Sequence, residues 1–157
     1  MKNPGWHLTL LWLTLLMLTA CKDNVYFSAV SHLDNNQWYR EDTLNMDVGQ
    51  SNLYERMPGD SIVCLNIGIR YTDKYRFQKL YMEVELCDST ETLRRDTMEF
   101  DIPADGGEGF RYREQMKEFC SFVPHDSIGY KLRVSHIMMQ NPLEGICDIV
   151  FLAEPKE

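Results

Sequence analysis

No apolar run in this 157-residue chain reaches the length of about 20 residues that a helix needs to cross a bilayer. The nearest approach is residues 8–19, twelve residues without a charge that follow Lys2. A short uncharged core behind a positive residue is typical of a secretion signal peptide. The sequence therefore predicts an exported protein without a membrane-spanning helix.

Motifs that carry catalytic or metal chemistry are also absent. There is no nucleophile elbow, no phosphate-binding glycine loop, no closely spaced histidine pair and no calcium loop. His32, His125 and His136 lie far apart along the chain, which predicts surface or half-buried side chains rather than catalysts. We therefore expect no enzymatic activity, no metal site and no dissociable cofactor.

A lipidation motif closes the signal segment. The residues LTAC at 18–21 are an aliphatic residue, two small residues and a cysteine, and they resemble the lipobox of bacterial lipoproteins. Small residues let a membrane-embedded protease reach the backbone, and the Cys21 thiol accepts a diacylglycerol group. The alternative is an ordinary cleaved signal that happens to precede a cysteine. The lipobox interpretation gives a signal peptide at 1–20, a lipidated N-terminus and tether at 21–24, and a single domain at 25–157.

Positive charge is scarce. The chain has 16 Lys and Arg against 24 Asp and Glu, and loss of Lys2 with the signal peptide takes the formal charge from −8 to −9. An acidic domain argues against nucleic acid and against direct adhesion to anionic head groups. Because each buried CH2 group contributes about 0.8 kcal/mol, two or three acyl chains on Cys21 would hold the protein on a membrane.

Four cysteines remain besides Cys21, and they are Cys64, Cys87, Cys120 and Cys147. None has the C-x-x-C spacing of a zinc or redox motif. An even number in an exported protein allows two disulfides. Four buried free thiols are the alternative.

The clearest pattern is the apolar–polar alternation of residues 61–71 and 79–87, which predicts two antiparallel strands with one wet face. We expect them to pair as a hairpin across residues 72–78. A one-residue slip would turn one apolar set outward, which limits the possible registers. One allowed register puts Cys64 opposite Cys87, about 5.5 Å apart or less at Cα and within reach of a disulfide, and two others separate them by one diagonal step. We predict that the two cysteines are neighbours, with a disulfide between them in the first register.

Short strands are predicted along the whole domain, at residues 25–33, 38–48, 61–71, 79–87, 96–102, within 110–123, 130–138 and 145–153. Residues 113–119 are also compatible with one or two helical turns. Residues 146–152 are nearly all apolar, which predicts a central buried strand. About eight such strands predict an all-β, antiparallel β-sandwich, with either jelly-roll or immunoglobulin-like topology.

Aromatic residues concentrate between the two clearest strands, and we identify four as a candidate partner surface: Tyr71, Tyr75, Phe77 and Tyr81. The alternative is an ordinary strand connection with amphipathic side chains. Trp38 distinguishes two kinds of function. A buried Trp38 favours a structural protein, and an exposed Trp38 beside these aromatics favours a glycan- or peptide-binding module.

Several short motifs follow Cys21 in a fixed order. They are VY at 25–26, Trp38, EDTL at 41–44, IGIRY at 67–71, LY at 80–81, DTME at 96–99 and SHIMMQNPLEGI at 135–146. In this order the mature chain resembles the gliding-motility lipoprotein GldH family of Bacteroidetes.

The resemblance implies a non-enzymatic envelope component, because members of that family associate with the gliding apparatus and its linked type IX secretion. It implies other envelope lipoproteins as partners, together with a membrane held through the lipid. We expect the outer membrane, with the periplasmic face favoured over the cell surface. The alternative function is a lipid-anchored glycan- or peptide-binding module.

Overall fold

The computed structural model describes residues 25–48, 61–88, 90–103, 112–124 and 129–156, and these residues form an all-β domain. A 3-10 turn, Asp34–Asn36, follows the first strand. The strands are β1 (Phe27–His32), β2 (Gln37–Trp38), β3 (Leu44–Val48), β4 (Val63–Tyr71), β5 (Lys79–Cys87), β6 (Thr92–Asp101), β7 (Arg113–Phe122), β8 (Tyr130–His136), β9 (Leu143–Glu144) and β10 (Ile146–Pro155).

Eight of these strands form two four-stranded antiparallel sheets, which confirms the predicted β-sandwich. The first sheet has the order β1-β10-β4-β7 and the second β3-β8-β5-β6, while β2 and β9 form a separate short pair. The partners are nested along the chain, because β1 pairs with β10, β3 with β8, β4 with β7 and β5 with β6. A long hairpin wrapped in this way is a jelly roll, which decides between the two predicted topologies.

The core lies between the two sheets and comes from the alternation seen in the sequence. Inward residues such as Ile67 and Ile69 on β4 and Met82 and Val84 on β5 are fully buried in one cluster. The predicted central strand is confirmed, because β10 lies between β1 and β4. Of the two alternatives for residues 113–119, the structure has the strand, within β7.

The predicted hairpin between β4 and β5 is wrong. The neighbours of β4 are β10 and β7, and those of β5 are β8 and β6, so the two strands lie in opposite sheets. Alternation determines which face of a strand points inward, but both sheets of a sandwich point inward, so the pattern does not identify a neighbour.

Because the hairpin is wrong, the disulfide inferred from it is wrong as well. Cys64 lies opposite Ser121 and Glu154 in the first sheet, and Cys87 lies opposite Lys131 in the second. Both thiols are free, as are those of Cys120 and Cys147.

The β5–β6 pair is a local hairpin, and Asp88 organises its turn. One carboxylate oxygen of Asp88 accepts hydrogen bonds from the backbone N–H of Thr90 at 2.6 Å and of Glu91 at 2.7 Å. These bonds lower the pKa of Asp88. The Asp88 side chain therefore satisfies two backbone N–H groups of the turn, which lie beyond the strand ladder.

The edge strands β6 and β7 face each other across one open side of the sandwich, and side chains connect them. Lys117 Nζ donates to the carbonyl of Glu99 at 2.5 Å, and Gln115 Nε2 donates to the carbonyl of Asp101 at 2.7 Å. Further along β6, the Asp96 carboxylate accepts from the backbone N–H of Thr97 at 2.9 Å. Occupying edge groups in this way discourages pairing with another chain.

We predict that all four cysteines of the domain are reduced. Alkylation of a protein beginning at Lys22, unfolded without reductant, should modify four thiols, the same number as after reduction. Modification of two or none would contradict the structure. In the folded protein Cys120 should react slowly, because burial raises its pKa to about 11 and the thiolate is the reactive form.

Candidate functional site

The sandwich has two ends, which are named here by where β1 and β10 begin and finish. We call the end where β1 begins and β10 finishes the N-terminal end; Tyr26 donates there from its backbone N–H to Ala153 at 2.8 Å. We call the opposite end, where β1 finishes and β10 begins, the far end. Cys21, the predicted lipidation site, lies outside the described residues, and the described chain begins four residues later at Val25.

The predicted aromatic surface is only partly at the surface. Tyr71 and Tyr75 are 3% and 7% exposed and belong to the core, so their assignment to a partner surface is wrong. Phe77 is 37% exposed and Tyr81 is half-buried. Tyr75 is held at the far end by its hydroxyl, which donates to the carbonyl of Lys79 at 2.9 Å, and by edge-to-face packing on Phe77.

Gly145 packs directly against the backbone of Tyr75. Its φ of +87° is in the left-handed region, and a Cβ there would lie 2.2 Å from the backbone nitrogen of Tyr75. The Gly145 carbonyl accepts from the backbone N–H of Thr72 at 2.8 Å. Only glycine allows the chain before β10 to pack this closely on the β4–β5 connection.

Trp38 is fully buried beneath the far end. Its indole N–H donates to the carbonyl of Asp42 at 3.0 Å, and its ring meets His136 edge to face at 5.3 Å. It pairs across the short β2–β9 ladder with Leu143. A ring enclosed in this way holds the far end together and offers no face to a ligand.

His136 is buried rather than at the surface or half-buried as predicted, with 1% of its area exposed. Neither ring nitrogen has a hydrogen-bond partner among the described residues. Burial disfavours the charged imidazole and lowers the pKa of His136, and the nearby Arg40 guanidinium lowers it further. His32 is exposed, and His125 lies outside the described residues.

Among the described residues, five large apolar side chains are exposed at the far end, and they are Tyr39, Phe77, Tyr112, Ile137 and Met139. We call all of them except Tyr112 the far-end patch. Met139 is 96% exposed. Ile137 and Met139 belong to residues 137–141, Phe77 shares a cleft with Gln140, and Tyr39 precedes Arg40, whose backbone binds Asn141. The sequence argument found Phe77 but missed the other three.

Arg40 fixes the backbone beneath Met139. Its guanidinium donates to the carbonyls of Met138 at 2.6 Å and Met139 at 2.8 Å, and its backbone N–H donates to the side chain of Asn141 at 2.9 Å. Asn141 in turn donates to the Glu41 carboxylate at 3.2 Å. A solvated methionine therefore projects from a tightly bonded loop, which is a preorganised arrangement.

The outer face of the second sheet is polar and charged, whereas that of the first has an ionic row beside an apolar row of Val30, Val150, Gly68 and Met116. On the first, His32, Asp148, Arg70 and Glu114 form an ionic row across all four strands, with distances of 2.5, 3.6 and 2.5 Å between successive partners. On the second lies a cleft of about 430 Å³, lined by Thr43, Asn45, Glu83, Glu85, Arg95, Arg133 and Ser135. None of the described residues that line this cleft is aromatic, whereas the binding-module alternative expects a cleft lined by aromatic side chains.

No helix within the described ranges has the length and apolar character to span a membrane. Among those residues no three His, Cys, Asp or Glu side chains are grouped to hold a metal ion.

Comparison with known proteins gives one family. A family model described as GldH lipoprotein matches residues 25–151, which includes most of the sandwich. The gliding motility lipoprotein GldH homolog of Christiangramia forsetii is 22% identical to this chain over 157 residues, and the match covers 92% of both proteins.

A solved structure is also similar, at a distance. The crystal structure of dimeric latent PorU from Porphyromonas gingivalis matches 88% of this chain with 12% identity and a TM-score of 0.31. The chain spans 14% of the length of that protein. A TM-score of this size supports no argument about fold or function.

Gly145→Ala should destabilise the far end. We expect a loss of about 2 kcal/mol or more in the free energy of unfolding, because the substitution adds left-handed strain to a backbone clash. Denaturant unfolding of the domain beginning at Lys22 measures it. Gly129→Ala is the matched control, since a Cβ at Gly129 meets nothing within 4 Å. If the two variants were equally stable, the close contact between Gly145 and the Tyr75 backbone would be contradicted.

His136 should make the domain acid-sensitive. The lowered pKa means that the unfolded chain binds more protons than the folded domain below the ordinary value of 6.5. The free energy of unfolding should therefore fall as the pH drops from about 7 to about 5. His136→Phe should flatten this slope and His32→Gln should retain it, as measured by unfolding at each pH. A slope unaffected by His136→Phe would rule out the buried imidazole as its source.

Proposed function

This chain belongs to the GldH lipoprotein family, and we propose that it is an outer-membrane lipoprotein acting without catalysis in the gliding apparatus. Its task there is the assembly or stability of the gliding and type IX secretion-related machinery. Family membership, with the matched residues beginning at Val25, is the observation that carries the proposal. A lipoprotein family implies a lipid anchor in a membrane.

The lipid is attached at Cys21, and residues 22–24 tether the domain. The periplasmic face of the outer membrane is favoured over the cell surface, because residues 22–24 after the lipidated cysteine contain a single acidic residue, Asp23, beside the basic Lys22. Charged export signals of surface lipoproteins in these bacteria are richer in acid.

The buried Trp38 supports a structural role over a binding module. A glycan- or peptide-binding cleft needs exposed aromatic faces for stacking, and the enclosed Trp38 and Tyr75 are not available for it. Exposed apolar side chains at the far end, Met139 above all, suit contact with another protein instead.

We predict that Cys21 is required both for the location of the protein in the outer membrane and for its contacts with partner proteins. In cells producing the full-length tagged protein, chemical crosslinking and mass spectrometry should capture other envelope lipoproteins or secretion-machinery subunits. Cys21→Ala should remove the protein from the outer-membrane fraction and abolish the capture. Cys147→Ala is the matched control, since Cys147 is a half-buried free thiol of the domain, and it should change neither result.

Two outcomes would contradict the proposal. One is a Cys21→Ala protein that remains in the outer membrane with its partners. The other is capture of nothing by the wild-type protein, combined with binding of glycans or peptides by the purified domain, which would favour the alternative function.

A further inference from the structure

We propose that two copies of this lipoprotein pair through the outer faces of their first sheets, side by side in one leaflet, with a two-fold axis parallel to the strands. The inference rests on one part of the proposed function, the lipid at Cys21, because the anchor determines which way each copy points. It adds a second copy of the chain as the occupant of that face.

The outer face of the first sheet is a grid of rows, because side chains at paired positions of neighbouring strands lie next to each other. In the sheet order β1-β10-β4-β7 the ionic row reads base, acid, base, acid: His32, Asp148, Arg70 and Glu114. The next row is apolar: Val30, Val150, Gly68 and Met116. The third row is mixed: Ser28, Leu152, Asn66 and Glu118.

The apolar row is unusual for its position. The wet face of an antiparallel sheet is ordinarily polar, yet here Val30 is 39% exposed and Met116 is half-buried. The Met116 sulfur lies where a Cβ on Gly68 would be, and the same position is 3.2 Å from the Cβ of Val150. Met116 therefore lies across β4, and the row forms a low surface that a second sheet can approach closely.

The anchor selects the symmetry of a pair. Two copies anchored in one leaflet point the same way, so a two-fold axis that relates them is normal to the membrane. Within the domain this direction is that of the strands, because β1 begins at the N-terminal end and at most about 14 Å of extended chain separates Cys21 from Val25. An axis across the strands would put the two lipids at opposite ends of the pair.

This symmetry keeps each row at its own height and reverses its order. In a face-to-face pair β1 then faces β7 of the second copy, and β10 faces β4 of the second copy. Aligned sheets pack with their strands within about 30° of each other, so the two central strands keep this opposition best.

Reversal makes the ionic row complementary to itself. Asp148 faces Arg70 of the second copy, Arg70 faces its Asp148, and at the ends of the row His32 faces Glu114. Each acid then has a base beside it in its own chain and another across the interface. Complementary charges select the partner and its register, and a second copy supplies the required order without any other condition.

The acidic residues of the remaining rows do not oppose one another. Glu118 faces Ser28 of the second copy and keeps Lys156 of its own chain at 3.8 Å. Glu154, which pairs with Cys64 in its own sheet, faces Cys64 of the second copy. Charge repulsion therefore does not prevent the approach that the ionic row favours.

The size of the face explains why the lipid matters. Strands β4 and β10 are about 30 Å long, and four strands about 4.8 Å apart give at most about 600 Å² per copy, near the lower limit of specific interfaces. Anchoring in one leaflet raises the effective concentration of each copy for the other. We therefore expect pairing of the lipidated protein and much weaker pairing of Cys21→Ala.

The first test locates the contact in the full-length, lipidated protein in its own cells, produced with two different tags. A photoreactive amino acid at Val30 of one tagged form should link it to the other form, at the segment around Met116, as identified by mass spectrometry. Asn45, exposed on the outer face of the second sheet, is the matched control and should give at least about fivefold less of this product. Products that contain only lipid, or only a different protein, would overturn the proposal.

Reciprocal charge reversal is the decisive test. Asp148→Lys alone places bases opposite bases, and Arg70→Glu alone places acids opposite acids, so each should lower the yield of the linked pair at least about tenfold. When one tagged form carries Asp148→Lys and the other Arg70→Glu, pairing should return. The introduced base then faces the introduced acid, and the unchanged Arg70 faces the unchanged Asp148.

Restoration in the mixture separates pairing from folding, because each chain is the same in the mixture as alone. Asp148→Glu and Arg70→Lys keep the signs of the charges and should keep the yield. A mixture that pairs no better than either variant alone, or single reversals that pair like the wild type, would overturn the proposal.

The outcomes also separate this proposal from the proposed function. If chemical crosslinking captures other envelope proteins in a Cys21-dependent way but no linked pair of copies forms, the pairing is wrong and the function stands. If Cys21→Ala retains its place in the outer membrane, the anchor and the symmetry argument fail together.

Discussion

The antiparallel pairing of β1 with β10 determines how the molecule is arranged. Six consecutive residue pairs, from Phe27 with Ala153 to His32 with Asp148, join the first strand to the last. Because the chain enters β1 directly after its proposed lipid, this ladder brings the C-terminal residues to the anchored end and sends the loop before β10 to the opposite end. The position of Met139, far from the anchor, follows from that one register.

The far end is a second packed structure on top of the sandwich. Trp38 and Leu143 are fully buried there, Gly145 lies against the backbone of Tyr75, and His136 fills the space beside the indole ring. Enclosing the His136 imidazole without a hydrogen-bond partner costs free energy, and the burial of the apolar Trp38 and Leu143 side chains offsets that cost. The result is a rigid support for a loop that is otherwise fully solvated.

Sequence reasoning predicted faces well and neighbours badly. Alternation assigned Ile67 and Val84 to the core correctly, but it contains no information on which of two inward-facing sheets a strand joins. The aromatic surface failed for other reasons: Tyr71 is the last inward residue of β4, and Tyr75 lies against Gly145, which is 70 residues further along the chain. Met139 was missed because no motif marks it, and the side chain that holds its backbone, Arg40, lies 99 residues away in sequence.

The nested strand order also governs when the domain can form as the chain emerges during export. The chain emerges from its N-terminus, so β1 is available before β10, and the first sheet stays incomplete until the final residues arrive. The hairpin closed by Asp88 joins neighbours in sequence and can form early, whereas the outermost pair closes the longest loop and does so last. Truncation by even one strand at the C-terminus would therefore leave the strand nearest the lipid exposed as an adhesive edge.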